Sequence, residues 1–587
     1  MTSIDELFKA PALTNGKRKP DYTVDPTRHY KVPKIGQNPE TDEYGKDGTN
    51  DDTNEYNDDD VAGPELPPND EPDEPDDEEG RFFGGGVNNK TAEVLDIIEE
   101  RDKEEYVPDK FDVSWLRKTA LNFERKISRN AELRAKFEDD PQKFMRSEAE
   151  LDDNIKALSI LSEHPHLYPE FAKLGCVNSL VSLLSHENTD ISIDAIEIIS
   201  ELTDEDVEAK SEEWNALADA LLEADLLDLL SQNLERLDEK NEADRSGVYH
   251  SLSVLENLAS QSSIWGRIGG ASTVIQWLLR RIQQKELPVS QNKQYAAEVL
   301  AILLQTSPEN RKKVVEFDGV DMLLQLLSAY RKRDPAKESN EEEYVENLFD
   351  CMTCLARETD GKEKFTEAEG VELCLIMLRE GKMSKMRALR LIDHAMSGQS
   401  STQLCERFVD AAGLRTVFGM FMRKQESQAV EHLLGVFAAL LRHLPGDSPA
   451  RIRTIAKFVE KDYAKVEKLV KLRHNYSNKL DATDEQISNE RSQMAEDDRE
   501  AMASEWLSRR LDAGLFGLQT IDVVLAWLSA EDDGARRKIK SLLGERDESL
   551  ATIRSTLQEQ VNGLQDESNE EELSTKEMLQ TIMSFLD

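Results

Sequence analysis

The 587-residue chain carries 118 Asp and Glu residues against 73 Lys and Arg residues, a formal net charge of −45. A charge of this sign disfavours non-specific duplex binding, which needs clustered Lys and Arg, and favours partners with basic segments. Five cysteines are too few for a disulfide framework, no run approaches 18 apolar residues, and the acidic start does not resemble a secretory signal. We therefore expect an intracellular protein without a membrane span.

The first 80 residues have the composition of an acidic arm. They show no apolar periodicity, and residues 40–79 hold 19 acidic residues and one basic residue. Such a segment buries too little apolar surface to offset its ordering entropy, so we predict that residues 1–80 are disordered. Lys17, Arg18 and Lys19 form a basic cluster typical of a nuclear import signal, although a solvated turn explains so short a cluster almost as well.

Residues 81–150 are predicted to form an N-terminal helical cap. A glycine run, Gly84-Gly-Gly86, marks the end of the arm. Apolar residues then recur at helical spacing from about Val113 to Phe137, and they include Trp115. This helix has enough apolar area to dock onto another apolar surface.

A repeat dominates residues 151–445. Each unit reads as a short helix, a break and two amphipathic helices, and a small residue begins each middle helix, at Gly175, Ala224, Gly270, Gly319, Gly370 and Gly413. Armadillo and HEAT units span about 40–47 residues, and longer loops account for the wider spacing here. A single unit cannot bury its apolar face, but stacked neighbours can. We predict an all-α, right-handed superhelical solenoid of the armadillo/HEAT type.

The repeat stops after Pro445, and residues 446–587 are predicted to form a C-terminal helical cap. Apolar residues here follow coiled-coil-like steps of three and four, at Ile452, Ile455, Val459, Tyr463, Val466 and Val470. Residues 451–473 also hold eight Lys or Arg and three acidic residues. An RNA contact is one interpretation, but no regular interleaving of aromatic and basic residues supports base stacking, so a charged helix face paired with neighbouring acids is favoured.

Patterns that carry enzyme chemistry are absent from the sequence. Cys351 and Cys354 lie in an apolar helical run without a second pair, which favours core packing over a metal or redox site. The glycine run lacks the Gly-Lys-Ser/Thr ending of a phosphate loop, and no Gly-x-Ser-x-Gly or kinase set occurs. We expect no catalytic residue, no cofactor and no metal site.

Several motifs in a fixed order resemble the beta-catenin-like protein 1 family. They are Gly80-Arg-Phe-Phe-Gly-Gly-Gly86, Phe111-Asp-Val-Ser-Trp-Leu-Arg-Lys118, Glu163-His-Pro-His-Leu-Tyr-Pro169 ahead of Leu174-Gly-Cys-Val-Asn-Ser-Leu-Val181, and the segment from Trp506 to Trp527. The resemblance implies a nuclear armadillo solenoid associated with the spliceosome. It also implies a tie to a Prp19-type complex through its Myb-like, cell-division-cycle-5-like subunit, and binding of basic, nuclear-localisation-like segments.

The last helix of each armadillo unit lines the groove, where importin-type proteins place Trp and Asn four residues apart. When the last helices of this chain are aligned on their apolar positions, only Asn257 keeps the residue type expected in a Trp or Asn slot. This argues against an importin-like mode of peptide binding. Carboxylates occupy other slots, at Glu197, Glu201, Glu298 and Asp350. We hypothesise that they pair with Lys or Arg of a partner while Asn257 holds the partner's backbone. A solvated helix face explains each one singly.

The function expected from these features is that of a non-enzymatic scaffold in the nucleus. It would serve pre-mRNA splicing by binding basic segments of spliceosomal proteins in an acidic groove, with RNA contact indirect or weak. The end caps could support self-association, for example as a homodimer. Two alternatives stay open: an importin-like transport adaptor, and a direct RNA-binding splicing accessory protein that uses residues 451–473.

Overall fold

The computed structural model describes residues 110–261, 272–494, 496–564 and 570–586. The predicted acidic arm, the cluster Lys17–Lys19 and the start of the N-terminal cap lie outside these ranges. Within them every regular element is an α-helix or a short 3-10 helix, which confirms the all-α prediction.

Two helices open the described chain: α1 Val113–Lys136 and α2 Met145–Lys156. Asp112 caps α1, because its carboxylate accepts hydrogen bonds of 2.9 Å from the backbone N–H groups of Ser114 and Trp115. Leu116 and Phe123 of α1 are fully buried against the helices that follow. The predicted docking helix is thus confirmed, with its apolar side inward.

A three-helix unit then recurs up to His443. The first unit is α3 Tyr168–Lys173, α4 Cys176–Ser182 and α5 Thr189–Thr203; the second is α6 Ser211–Glu223, α7 Leu226–Arg236 and α8 Glu242–Ala259. The third is described from its middle helix onward, as α9 Ser272–Gln283 and α10 Gln291–Thr306. The fourth is α11 Pro308–Glu316, α12 Gly319–Ser328 and α13 Asn340–Leu355. The fifth is α14 Thr359–Glu367, α15 Gly370–Glu380 and α16 Met383–Met396; the sixth is α17 Thr402–Asp410, α18 Gly413–Phe421 and α19 Ser427–His443.

Close helix packing explains three of the glycines that begin the middle helices. A Cβ added at Gly370 would lie 2.4 Å from the ring of Phe365 in the preceding helix, and Gly319 and Gly413 have similar contacts five residues upstream. The left-handed backbone falls on the residue before each glycine, at Asp318, Glu369 and Ala412. Gly175 differs, because its own φ is +78° and nothing lies within 4 Å of its added Cβ.

The C-terminal region adds six described helices: α20 Pro449–Gln493, α21 Glu496–Asp512, α22 Leu515–Glu531, α23 Asp533–Gly544, α24 Leu550–Gly563 and α25 Glu570–Ser584. Three consecutive residues of α20, Lys461, Asp462 and Tyr463, have φ between 53° and 61° and interrupt the helix. The break divides the predicted coiled-coil spacing. Ile452 before it is 62% exposed, whereas Val466 after it is buried.

The third helices of the units stack on one another in chain order. Contacts join α5 to α8, α8 to α10, α10 to α13, α13 to α16 and α16 to α19. The same row continues at both ends, since α2 contacts α5 and α22 contacts α19. It therefore extends past Pro445, where we expected the repeat to stop.

One cluster of buried apolar side chains runs from Leu116 in α1 to Leu586 at the end of the described chain. Among the described residues, no single helix is long and apolar enough to cross a bilayer. Met502–Asp512 and Leu515–Glu531 meet that test only as a pair bent by 60°. Most side chains of α22 lie in the protein core.

Candidate functional site

On α5 the third-helix row presents two of the predicted carboxylates to solvent. Glu197 and Glu201 lie one turn apart; Glu201 is exposed, and the side chain of Glu197 keeps 44% of its exposure. Nε2 of His250 on α8 lies 3.9 Å from Glu197, but burial lowers the pKa of His250 and leaves the ring neutral at pH 7. In the described part of the chain neither carboxylate pairs with Lys or Arg, so both predicted residues are open to solvent.

Glu201 also borders a cleft of about 630 Å³. The cleft lies between residues 159–165, ahead of α3, and the loop 204–208 that follows α5. Its acidic lining residues are Glu163, Glu201, Asp204, Asp206 and Glu208. We did not predict four of these from the sequence, namely Glu163, Asp204, Asp206 and Glu208. The acidic run over residues 201–208 could have indicated three of them. The negative charge of this cleft complements the positive charge of lysine and arginine side chains.

A carboxyl pair lies one turn before Glu197. Asp194 of α5 meets Asp152 of α2, and Lys156 Nζ lies 2.5 Å from Asp152 Oδ1 and 3.5 Å from Asp194 Oδ1. Burial, together with the neighbouring Asp152, raises the pKa of Asp194 to about 7. The charge of this part of the surface therefore changes near neutral pH, a property that no sequence pattern indicated.

Asn257 faces the neighbouring helix. Its Nδ2 donates to the Ser200 carbonyl at 3.2 Å and to Thr203 Oγ1 at 3.3 Å, so the side chain ties α8 to the end of α5. Beside it, Ser200 Oγ donates to Ser253 Oγ at 3.0 Å. Contact between Asn257 and a partner's backbone stays a prediction, and it would have to accommodate these internal bonds.

Glu298 and Asp350 lie further along the same row, on α10 and α13. Glu298 is half-buried and accepts a 2.8 Å hydrogen bond from Gln294 Nε2. Asp350 is already paired, because Arg390 of α16 donates to it. Burial raises the pKa of Asp350 and Arg390 opposes that shift. The five predicted residues thus share one row, but only Glu197 and Glu201 combine open exposure with an unpaired charge.

The basic residues of 451–473 are largely engaged inside the protein. Arg473 is bound by Asp522 and Glu548, each at 2.6 Å, and Arg451 by Glu531. Other members also pair with acids or with backbone carbonyls: Arg453, Lys457, Lys465 and Lys468. This matches the favoured interpretation, a charged helix paired with neighbouring acids.

Cys351 of α13 is buried, and Cys354 on the same helix is partly buried against the apolar core. Burial raises the pKa of both thiols, that of Cys354 to about 11, so neither is a thiolate at neutral pH. Among the described residues, no group of three or more His, Cys, Asp or Glu side chains is placed to hold a metal ion.

Comparison with known proteins covers most of the chain. The family model described as "Catenin-beta-like, Arm-motif containing nuclear" matches residues 92–558. A beta-catenin-like protein 1 homolog of Schizosaccharomyces pombe is 38% identical over 498 residues, 85% of this chain and 87% of that protein. Human beta-catenin-like protein 1 is 38% identical over 472 residues, 78% and 83% of the two chains. An engineered protein of known structure aligns with a TM-score of 0.46 and 17% identity over 74% of this chain and 95% of its own.

Proposed function

Because the chain belongs to the catenin-beta-like family of Arm-motif-containing nuclear proteins, we propose that it is a nuclear scaffold for pre-mRNA splicing. It binds basic segments of partner proteins and has no catalytic role. The partners are spliceosomal proteins, first among them the Myb-like, cell-division-cycle-5-like subunit of a Prp19-type complex. The word "nuclear" in the family's description supports the location.

One observation carries the binding part of the proposal. Glu197 and Glu201 project from α5 next to a cleft bordered by Glu163 and Glu208, and we call these four residues the acidic surface. Lys and Arg side chains pair with carboxylates, and a negative surface accelerates the approach of a basic segment. An extended segment that lies across α5 and enters this cleft would meet these carboxylates together.

The experiment is purification of the tagged full-length chain from nuclease-treated nuclear extract, with mass spectrometry of what stays bound. The test variant is Glu197→Lys with Glu201→Lys. The matched control is Glu363→Lys with Glu367→Lys, which has the same spacing and charge change but lies on α14, a first helix. Circular dichroism establishes that all three chains fold.

We expect the wild type and the control to retain Prp19-type subunits and the test variant to lose them. Retention by the folded test variant would contradict binding through the acidic surface. Recovery of transport receptors and assorted basic cargo would favour the importin-like adaptor instead. Loss of the splicing proteins on nuclease treatment would favour an RNA-bridged association.

A further inference from the structure

The net charge of the side chains changes along the third-helix row. Helix α13 carries Glu346 and Asp350 one turn apart, the spacing that Glu197 and Glu201 show on α5. By composition alone, α13 would extend the acidic surface by another site for basic side chains.

Two arginines of the next helix neutralise that site. Arg387 Nε donates to Glu346, and Arg390 Nη2 donates to Asp350 and lies 3.5 Å from Glu346 Oε1. All four side chains are partly buried, with exposed fractions between 23% and 34%. Two guanidinium groups and two carboxylates sum to zero charge, in contrast to α5.

We infer that Arg387 and Arg390 confine basic segments to the row from α5 to α10 and thereby select short basic segments over long ones. A partner lysine reaching α13 would have to displace a guanidinium, whose fork of donors fits carboxylates better than an ammonium does. The two arginines also repel an incoming cation. The inference rests on the proposed function, since it describes the length of segment that the acidic surface accepts.

Helix spacing turns this inference into peptide lengths. Packed helices lie about 8–10 Å apart, so α5 to α10 spans about 16–20 Å and α5 to α16 about 32–40 Å. An extended chain covers about 3.3 Å per residue, which gives about six residues for the first span and about twelve for the second. The probes are therefore alternating Lys-Arg peptides of about six and about twelve residues.

The experiment compares the affinities of both peptides for the full-length chain by fluorescence anisotropy. The test variant is Arg387→Gln with Arg390→Gln. The matched control is Arg407→Gln with Arg453→Gln, which removes the same charge and also breaks two ion pairs, to Glu372 and Asp410, away from the third helices.

We expect the test variant to raise the ratio of long-peptide to short-peptide affinity by about tenfold, since two carboxylates become available. The control should leave the ratio within about twofold of the wild type. An unchanged ratio in the folded test variant would overturn the inference.

The wild type supplies a second test that does not depend on a variant folding. If the distal half of a long peptide makes no ion pairs, both peptides should lose affinity equally as salt rises from 50 to 300 mM. A steeper loss for the long peptide would show contacts beyond α10 and overturn the inference.

Failure of this inference can be separated from failure of the proposed function. If Glu197→Lys with Glu201→Lys leaves short-peptide affinity intact, the acidic surface itself is refuted. If that variant abolishes binding while Arg387→Gln with Arg390→Gln leaves the ratio unchanged, only the length selection fails.

Discussion

Substitution of Arg473 by Met tests how the C-terminal region is held together. Nε of Arg473 lies 2.6 Å from Asp522 Oδ1, and Nη1 lies 2.6 Å from Glu548 Oε2. The side chains of Arg473 and Asp522 are 1% and 0% exposed, so water cannot replace the guanidinium at Asp522. Glu548 keeps 18% of its exposure and can turn toward solvent.

The magnitude follows from that burial. Removal of one partner from a buried ion pair costs about 3–5 kcal/mol, because the other charge stays buried and unpaired. Lys471→Met on the same helix is the control; Lys471 is exposed, and the cost should stay within about 0.5 kcal/mol. Burial raises the pKa of Asp522 to about 6 against the opposing effect of Arg473. The cost should therefore shrink at pH 5, where Asp522 takes up a proton once Arg473 is gone.

The assay is urea unfolding followed by circular dichroism, combined with hydrogen exchange of α22, since repeat proteins can open locally before global unfolding. The double variant Arg473→Met with Asp522→Leu removes both charges. Its stability should return to within about 1–2 kcal/mol of the wild type. A double variant as unstable as the sum of the two single variants would refute the reasoning.

Three further substitutions test other parts of the chain. Lys362→Met should lower the free energy of unfolding in urea by about 2–4 kcal/mol, because the buried Nζ donates to three acceptors around the end of α16, one at 2.8 Å; a loss below about 0.5 kcal/mol would contradict this. Asp194→Asn tests the raised pKa of about 7. Because the pKa of Asp194 is higher in the folded chain, its protonated form stabilises the wild type. This contribution is fully present below pH 3.8 and is lost as the pH rises to about 7. The free energy of unfolding of the wild type should therefore fall relative to that of the variant, by up to about 1.4 kcal/mol per pH unit between about pH 5.5 and 7. A difference in stability that does not change with pH would contradict the raised pKa. Gly370→Ala should cost about 1–3 kcal/mol in the same assay, since its Cβ would lie 2.4 Å from Phe365, whereas Gly446→Ala, with nothing within 4 Å, should cost less than about 1 kcal/mol; equal costs would argue against the close approach.

The fold could be predicted because the apolar spacing that causes it recurs along the sequence. Apolar residues spaced three and four apart must be buried, and a unit that cannot bury them alone requires neighbours. In α5, for example, the apolar residues from Ile191 to Leu202 are buried against neighbouring helices. The continuation of the row through α22 was not predictable in this way, because α22 is apolar on most sides and lacks the amphipathic pattern of the units.

The candidate site was only partly predictable, because pairing across the fold cannot be read from spacing on one helix. Asp350 and Glu197 look alike in sequence, yet Arg390, forty residues from Asp350, engages one carboxylate and leaves the other open. Asn257 likewise finds its acceptors on the preceding third helix. The cleft at Glu163 and Glu208 depends on the approach of a short 3-10 helix to a loop, which no periodicity in the sequence encodes.

The most direct test of the central claim is the affinity of purified full-length chain for a six-residue Lys-Arg peptide, measured by fluorescence anisotropy at 100 mM salt. Glu197→Lys with Glu201→Lys should weaken binding at least about tenfold, and the control Glu363→Lys with Glu367→Lys should stay within about threefold of the wild type. Equal affinities for all three folded chains would contradict recognition of basic segments by the acidic surface.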